Sequence, residues 1–253
     1  MSKLSKMVEE ILIREQDETA RSKSVFLQSY YKTQLPVLGL SLPAQRKISG
    51  YEFPFSSLAI IDQLNIWDEI FHASAYHETK FQALFFLERV LKHDNHAAVW
   101  KKVKHWVRGI DNWAHSDSLS SSYSRMLEAD EAMIYPQLLI WNSSGNPWTR
   151  RQSVVSLLYY RRNRKRILPF HQMISLVENL LLDDEYYVQK GVGWTLRELW
   201  QVDEKRTAKF IEKHLHSISP VAYTAAVEKV PEQKRNLWKS QRKINRVNRQ
   251  LNK

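Results

Sequence analysis

The chain of 253 residues contains no cysteine. That removes disulfides, thiol nucleophiles, iron–sulfur clusters and cysteine-bound zinc from consideration. Glycine and proline are scarce, at 6 and 8 residues, and the turn-bounded alternating runs that announce strands are hard to find. No apolar stretch approaches the roughly 18 residues of a membrane-spanning helix. The opening MSKLSKMVEEILIREQDETARS holds five acids and no continuous apolar block, so it does not read as a secretory signal. Gly-rich phosphate loops, GxSxG elbows and paired acidic motifs are missing too. His72 and His77 stand five apart, off the i, i+4 spacing of a helical metal site, and no third ligand is evident. No metal and no cofactor is expected. The expected location is intracellular, cytoplasmic and nucleoid-associated, without a membrane.

What the chain has is positive charge. The net charge is +11 with 43% hydrophobic residues, a composition that supports a folded core and points to an acidic partner. Nucleic acid is the first such partner and an anionic membrane surface the second. The charge is concentrated. RRNRKR (161–166) has five basic residues in six, and 233–253 has eight and no acid. These are either a loop and a solvated tail or parts of an anion-binding surface.

Helical periodicity fills the rest. Stretches such as FSSLAIIDQLNIWDEIFHA, NWAHSDSLSSSYSRML and EYYVQKGVGWTLRELWQ, joined by short connections, predict stacked antiparallel helix pairs. HETKFQALFFL, WTRRQSVVSLL and YYVQKGVGWTL share a polar start and an apolar stripe. Their first residues, His77, Trp148 and Tyr186, lie 71 and 38 apart, which suits a repeat of roughly 35–40 residues. The expected fold is all-α: a HEAT-like repeat solenoid with a concave basic face over residues 1–232, followed by a basic C-terminal tail, 233–253. An ordinary helix bundle is the alternative.

Three stretches carry candidate chemistry. In DNWAHSD (111–117), Trp113 and Asp117 stand four apart and share a helical face. Ser120, Ser121 and Ser124 follow, small enough to leave room for an approaching group. A carboxylate beside an aromatic wall can stabilise a developing cation; the competing reading is a bond to a neighbouring helix end. In NPWTRRQSVVSLL (146–158), Asn146 and Pro147 signal a helix start. Arg151 heads the apolar stripe, where it can lean out toward an anion or pair with an internal carboxylate. In QKGVGWTLRELW (189–200), Lys190, Trp194 and Arg197 fall opposite the core stripe. Aromatic and basic groups mixed in this way suit nucleic-acid sugar and phosphate, or else a layer in which both helix faces pack. Gly191 and Gly193 let another backbone, or a ligand, come close.

Together these stretches resemble the DNA alkylation-repair glycosylases built from HEAT-like helical repeats, the AlkD-like family. The resemblance runs from SYYKTQLPVLGLSLPAQRK (29–47) through DNWAHSD, NPWTRR and VQKGVGWTLRE to SPVAYTAAVEK (219–229). Ala114 departs from the acidic or polar residue found after the tryptophan in some relatives, and the basic tail is not part of the family core. The resemblance implies that Asp117 is the catalytic carboxylate and that Trp113 and Trp194 contact the sugar. It places Arg151 near the lesion phosphate, with Arg150 as the alternative register, and Tyr30 as the N-terminal tyrosine, with Tyr31 adjacent. It further implies cleavage of the N-glycosidic bond of cationic alkylpurines such as N7-alkylguanine and N3-alkyladenine in double-stranded DNA; since closed helical arrays often work alone, a monomer is expected. A base that is already charged needs no general acid, so one carboxylate replaces the usual pair. Most glycosylases extrude the target base; the family resemblance implies that here the lesion stays in or near the stack. Two other readings remain: a non-catalytic HEAT-like protein binding branched or distorted DNA, and a protein–protein adaptor. The basic excess disfavours the adaptor.

Overall fold

Hydrophobic residues at helical spacing build helices throughout the structure, a computed structural model that describes residues 3–92, 96–159 and 165–251, the side chains of 244–251 excepted. In chain order the helices are α1 (Lys3–Arg14), α2 (Glu18–Tyr31), α3 (Leu42–Ile48), α4 (Ile60–Ala73), α5 (His77–Val90) and α6 (His96–Val103). A 3-10 turn (Trp106–Gly109) comes next. Then follow α7 (Trp113–Ala129), α8 (Glu131–Asn142), α9 (Pro147–Val155), α10 (Phe170–Asn179), α11 (Tyr186–Val202), α12 (Glu204–Lys213), α13 (Pro220–Ala226) and α14 (Glu232–Leu251). Among the described residues there is no strand, and no helix is long and apolar enough to cross a membrane. The fold is all-α, as the sequence predicts. Of RRNRKR, residues 161–164 lie outside the described residues.

The chain divides into two compact units, 1–133 and 134–253. In the first, α5 packs on α3, α4 and α7; in the second, α11 packs on α9, α10, α12 and α13. A helix that touches both its neighbour and the helix two positions on is what a stack of helix pairs requires. The three stretches of similar sequence open α5, α9 and α11; α5 and α11 are the helices on which the others pack, and α9 lies against α10 and α11. Aromatic residues supply much of the first unit's core. Trp67 meets Phe53 and Phe55 edge-on at 5.4 Å each, and Phe71 stacks on Trp106 at 4.6 Å. Burying one such side chain stabilises the fold by roughly 1.5–3 kcal/mol.

The opening segment, continuous in its periodicity, is cut in two by Asp17, whose carboxylate accepts from the Ala20 amide at 2.7 Å and caps α2. Helical spacing also runs through AAVWKKVKHWVRGI (97–110), where the helix breaks. It ends at Val103, and the 3-10 turn lets adjacent Trp106 and Val107 both go inside, Trp106 donating to Asp68 Oδ1 at 2.6 Å.

Gly39 fixes how α2 meets the rest of its unit. Its φ of +82° suits glycine, and a Cβ there would sit 2.1 Å from the Ala20 carbonyl oxygen of α2. The amides of Leu38 and Gly39 donate to the buried Glu78 carboxylate at 3.0 and 2.8 Å. The LPVLGLSLP turn thus ties α2 to the start of α5.

Candidate active site

The first unit holds Trp113 and Asp117. Asn112 caps α7 by accepting from the His115 amide at 3.0 Å, and Asp111 accepts from Thr33 Oγ1 at 2.7 Å and the Gln34 amide at 2.9 Å. These bonds lash the end of α2 to the start of α7. Burial alone would raise the Asp111 carboxyl; the hydrogen bonds around it outweigh burial and hold it well below the usual carboxylate range. Across this junction Trp113 Nε1 donates to the Tyr30 carbonyl at 3.2 Å. Its indole meets Tyr30 edge-on at 5.3 Å and Tyr31 at 5.6 Å. Tyr30 is 54% exposed and stacks on exposed Phe26, one turn earlier. Asp117 lies one turn after Trp113 on α7, and both are half-exposed. Trp113 and Asp117 thus share one face of α7, as their spacing of four predicts.

Behind this wall runs a column of rings. Tyr31 stacks on His77 at 4.4 Å, and His77 on His115 at 4.1 Å. His115 is wholly buried. Its Nε2 lies 3.0 Å from the His77 carbonyl and its Nδ1 2.7 Å from the Asn112 amide nitrogen. A neutral ring that donates at Nε2 and accepts at Nδ1 fits both contacts. Burial holds His115 below its ordinary pKa, against the pull of Asp111. Of the three small serines, only Ser121 is half-exposed. Ser120 and Ser124 are buried inside the protein.

The second unit holds the arginines and Trp194. Asn146 caps α9, accepting from the Trp148 and Thr149 amides at 2.9 and 3.2 Å. Arg150 is clamped by Asp183 through two bonds, 2.5 and 3.2 Å, and also donates to the Ser144 carbonyl at 2.9 Å. Its pKa is raised by the bond to Asp183. Arg151 does not lean out of the packed layer. It is 6% exposed and donates from Nη1 to the Tyr187 carbonyl at 2.8 Å. The reason is Gly191, where a Cβ would sit 3.2 Å from Arg151 Cγ and 3.3 Å from its Nη1. The missing side chain gives the guanidinium its place along α11.

Gly193 serves the protein as well. A Cβ there would meet the Ala222 carbonyl oxygen at 2.3 Å, so the backbone of α13 crosses α11 at that point. Neither glycine of this stretch therefore needs a ligand to explain it. Trp194 is half-exposed and stacks on Tyr159 at 5.3 Å, with the Arg197 guanidinium 5.6 Å from its ring centre. Arg197 is also bonded to Glu228 at 2.7 Å and to Glu198 at 3.3 Å, and that bond keeps the Glu228 carboxyl low. Lys190 stands exposed, 5.9 Å from the Tyr186 ring centre. Tyr159, which backs Trp194, escaped the sequence reading; its signal was only the pair YYRR beside the basic cluster.

Comparison with known proteins identifies the chain's relatives. A search of curated proteins finds no match. Among solved structures, the chain is similar to one described as a predicted DNA alkylation repair enzyme from Enterococcus faecalis, at a TM-score of 0.68 and 13% identity, over 86% of this chain and 99% of that one. It is also similar to smu.31 from Streptococcus mutans UA159, at 0.51 and 17%, over 90% and 100%. AlkD2 from Streptococcus mutans matches at 0.49 and 18%, over 74% and 95%. For the first two, at these identities, the likeness is one of fold. Residues 12–230 match the family described as DNA alkylation repair enzyme, and the chain belongs to that family.

Proposed function

We propose that this protein is a DNA glycosylase that removes positively charged alkylpurines, N7-alkylguanine and N3-alkyladenine, from duplex DNA. The observation that carries the reading is the pair on α7: Asp117 one turn after Trp113, both half-exposed, with the indole fixed by Tyr30 and Tyr31. The C1′–N bond of the lesion breaks with its electron pair passing to the base nitrogen, which cancels the positive charge the base carried. The sugar is left as an oxocarbenium ion. Asp117 stabilises that cation electrostatically and orients the water that adds to C1′ and passes its proton to solvent. The products are a neutral base and an abasic sugar.

Trp113, with Tyr30 beside it, and, by the family resemblance, Trp194 are assigned to the deoxyribose. Of the four cations singled out in the sequence, Arg150, Arg151 and Arg197 are already held by protein partners. The backbone phosphate contact is therefore assigned first to exposed Lys190, with Arg151 adding its field from beneath Gly191.

The test is release of free base from duplex containing N7-methylguanine, by the native chain and by Asp117→Asn. Removing one preorganised stabiliser of this kind lowers a rate by about 10²–10³, so single-turnover release should fall at least that far while duplex affinity stays within about threefold. Equal release by both proteins would remove Asp117 from the chemistry. Binding with no release by either would favour a structural DNA-binding protein.

A further inference from the structure

The family match ends at residue 230, and nothing in the proposed reaction uses α14, which begins at Glu232. Its first half is nevertheless firmly docked within the second unit. Lys234, Trp238 and Arg242 recur every fourth residue and form the inner face. Trp238 is 1% exposed, meets Trp200 edge-on at 6.0 Å and donates to Glu212 at 3.2 Å. The Lys234 ammonium lies 5.5 and 5.3 Å from the centres of those two indoles. Arg242 donates to the carbonyls of Leu215 and Ile218 at 2.6 and 3.0 Å, with its guanidinium 4.3 Å from the Tyr223 ring centre.

Between this half of α14 and the connection from α12 to α13 lies a groove of about 560 Å³, to which Lys239, Arg242 and Lys243 contribute. No carboxylate is among its described lining residues. Lys239 and Lys243 are exposed, one helical turn apart, and form no hydrogen bond or ion pair among the described residues. Like charges at i, i+4 destabilise a helix. Here the docking of Trp238 keeps them side by side above a third, anchored cation. Lysines are flexible point charges rather than bidentate forks, which suits them to a phosphate backbone without reading its sequence.

We infer that the groove lined by Lys239, Arg242 and Lys243 is a second DNA-contacting surface, which takes the phosphodiester backbone outside the part of the chain shared with the family. The inference rests on DNA being the partner, but not on any excision activity.

The test is fluorescence anisotropy of the full chain on an undamaged labelled duplex across a salt series, comparing the native protein, the pair Lys239→Ala and Lys243→Ala, and the pair Lys205→Ala and Lys209→Ala on α12 as a charge-matched control. All four lysines are exposed, and none belongs to the proposed catalytic set. Each lost phosphate contact removes about 0.9 from the slope of log affinity against log salt. The groove pair should lower the slope by about 1.8 and weaken low-salt affinity at least threefold, while the control leaves the slope within about 0.3 of native. An unchanged slope in the groove pair, or an equal fall in the control, overturns the inference. So does weakened binding to polyglutamate with duplex binding intact, which gives the groove to an acidic protein. A native chain that binds no duplex overturns this inference together with the proposed function, whereas duplex binding without base release overturns only the latter.

Discussion

His77 shows what burial does to a single residue. It is wholly buried between the rings of Tyr31 and His115, and neither ring nitrogen has a hydrogen-bond partner among the described residues. Burial first, and then His115, push its pKa from 6.5 down to about 2. The folded state therefore keeps the ring neutral at pH values where the unfolded chain protonates it. Below about pH 6.5 the unfolded state binds the extra proton, so stability falls as pH falls, by up to about 1.4 kcal/mol per pH unit. Glu78, raised by burial, works in the opposite sense, so the informative quantity is a difference between proteins. Urea melts at pH 7 and pH 5 should show the native protein losing roughly 2 kcal/mol more than His77→Phe. Equal losses would mean that His77 titrates normally. None of this is visible in the sequence, where His77 only opens a repeated stretch and lacks the spacing of a metal ligand. Its neighbours come from α2 and α7, and no local spacing reports a contact made by the fold. Trp113 and Asp117, by contrast, were legible because their relation is one helical turn.

At the scale of elements, α11 is held by two glycines that do different work. At Gly193 an added methyl would strike backbone atoms of α13, Ala222 O at 2.3 Å and Cα at 2.8 Å, which cannot swing aside. At Gly191 it would meet only the side chains of Val155 and Arg151, at 3.1 to 3.3 Å. Helix propensity favours alanine over glycine by about 1 kcal/mol at both positions, while overpacking costs typically 1–3 kcal/mol. Gly193→Ala should therefore be less stable than Gly191→Ala by roughly 2 kcal/mol in urea unfolding; similar values would deny the close crossing of α11 and α13. The two residues looked alike in sequence, because a glycine announces a close approach but not what approaches. Helix caps were the opposite case, since Asn146 and its following proline mark the start of α9 by local chemistry alone. Breaks such as the 3-10 turn at Trp106 were hidden, because there the burial of two adjacent large residues overrides helical periodicity.

For the whole molecule, the all-α fold and the family were readable from repeated amphipathic segments and a few short strings. The docking of the basic C-terminal stretch was not, since its charge suggested a tail, and it is contacts such as Trp238 on Trp200 and Arg242 on the Leu215 and Ile218 carbonyls that hold the first half of α14. In the proposed reaction on duplex DNA one carboxylate, Asp117, favours positive charge on the sugar, while the charge already on the base makes a general acid unnecessary. The most direct measurement of this claim compares affinity for a duplex bearing a cationic pyrrolidine in place of the target sugar with affinity for the same duplex bearing neutral tetrahydrofuran. The native protein should prefer the cationic duplex by at least about tenfold, and Asp117→Asn should bring that ratio close to one, since transition-state mimics bind 10²-fold or more tighter than substrates when the stabilising group is in place. An identical preference in both proteins would contradict the account.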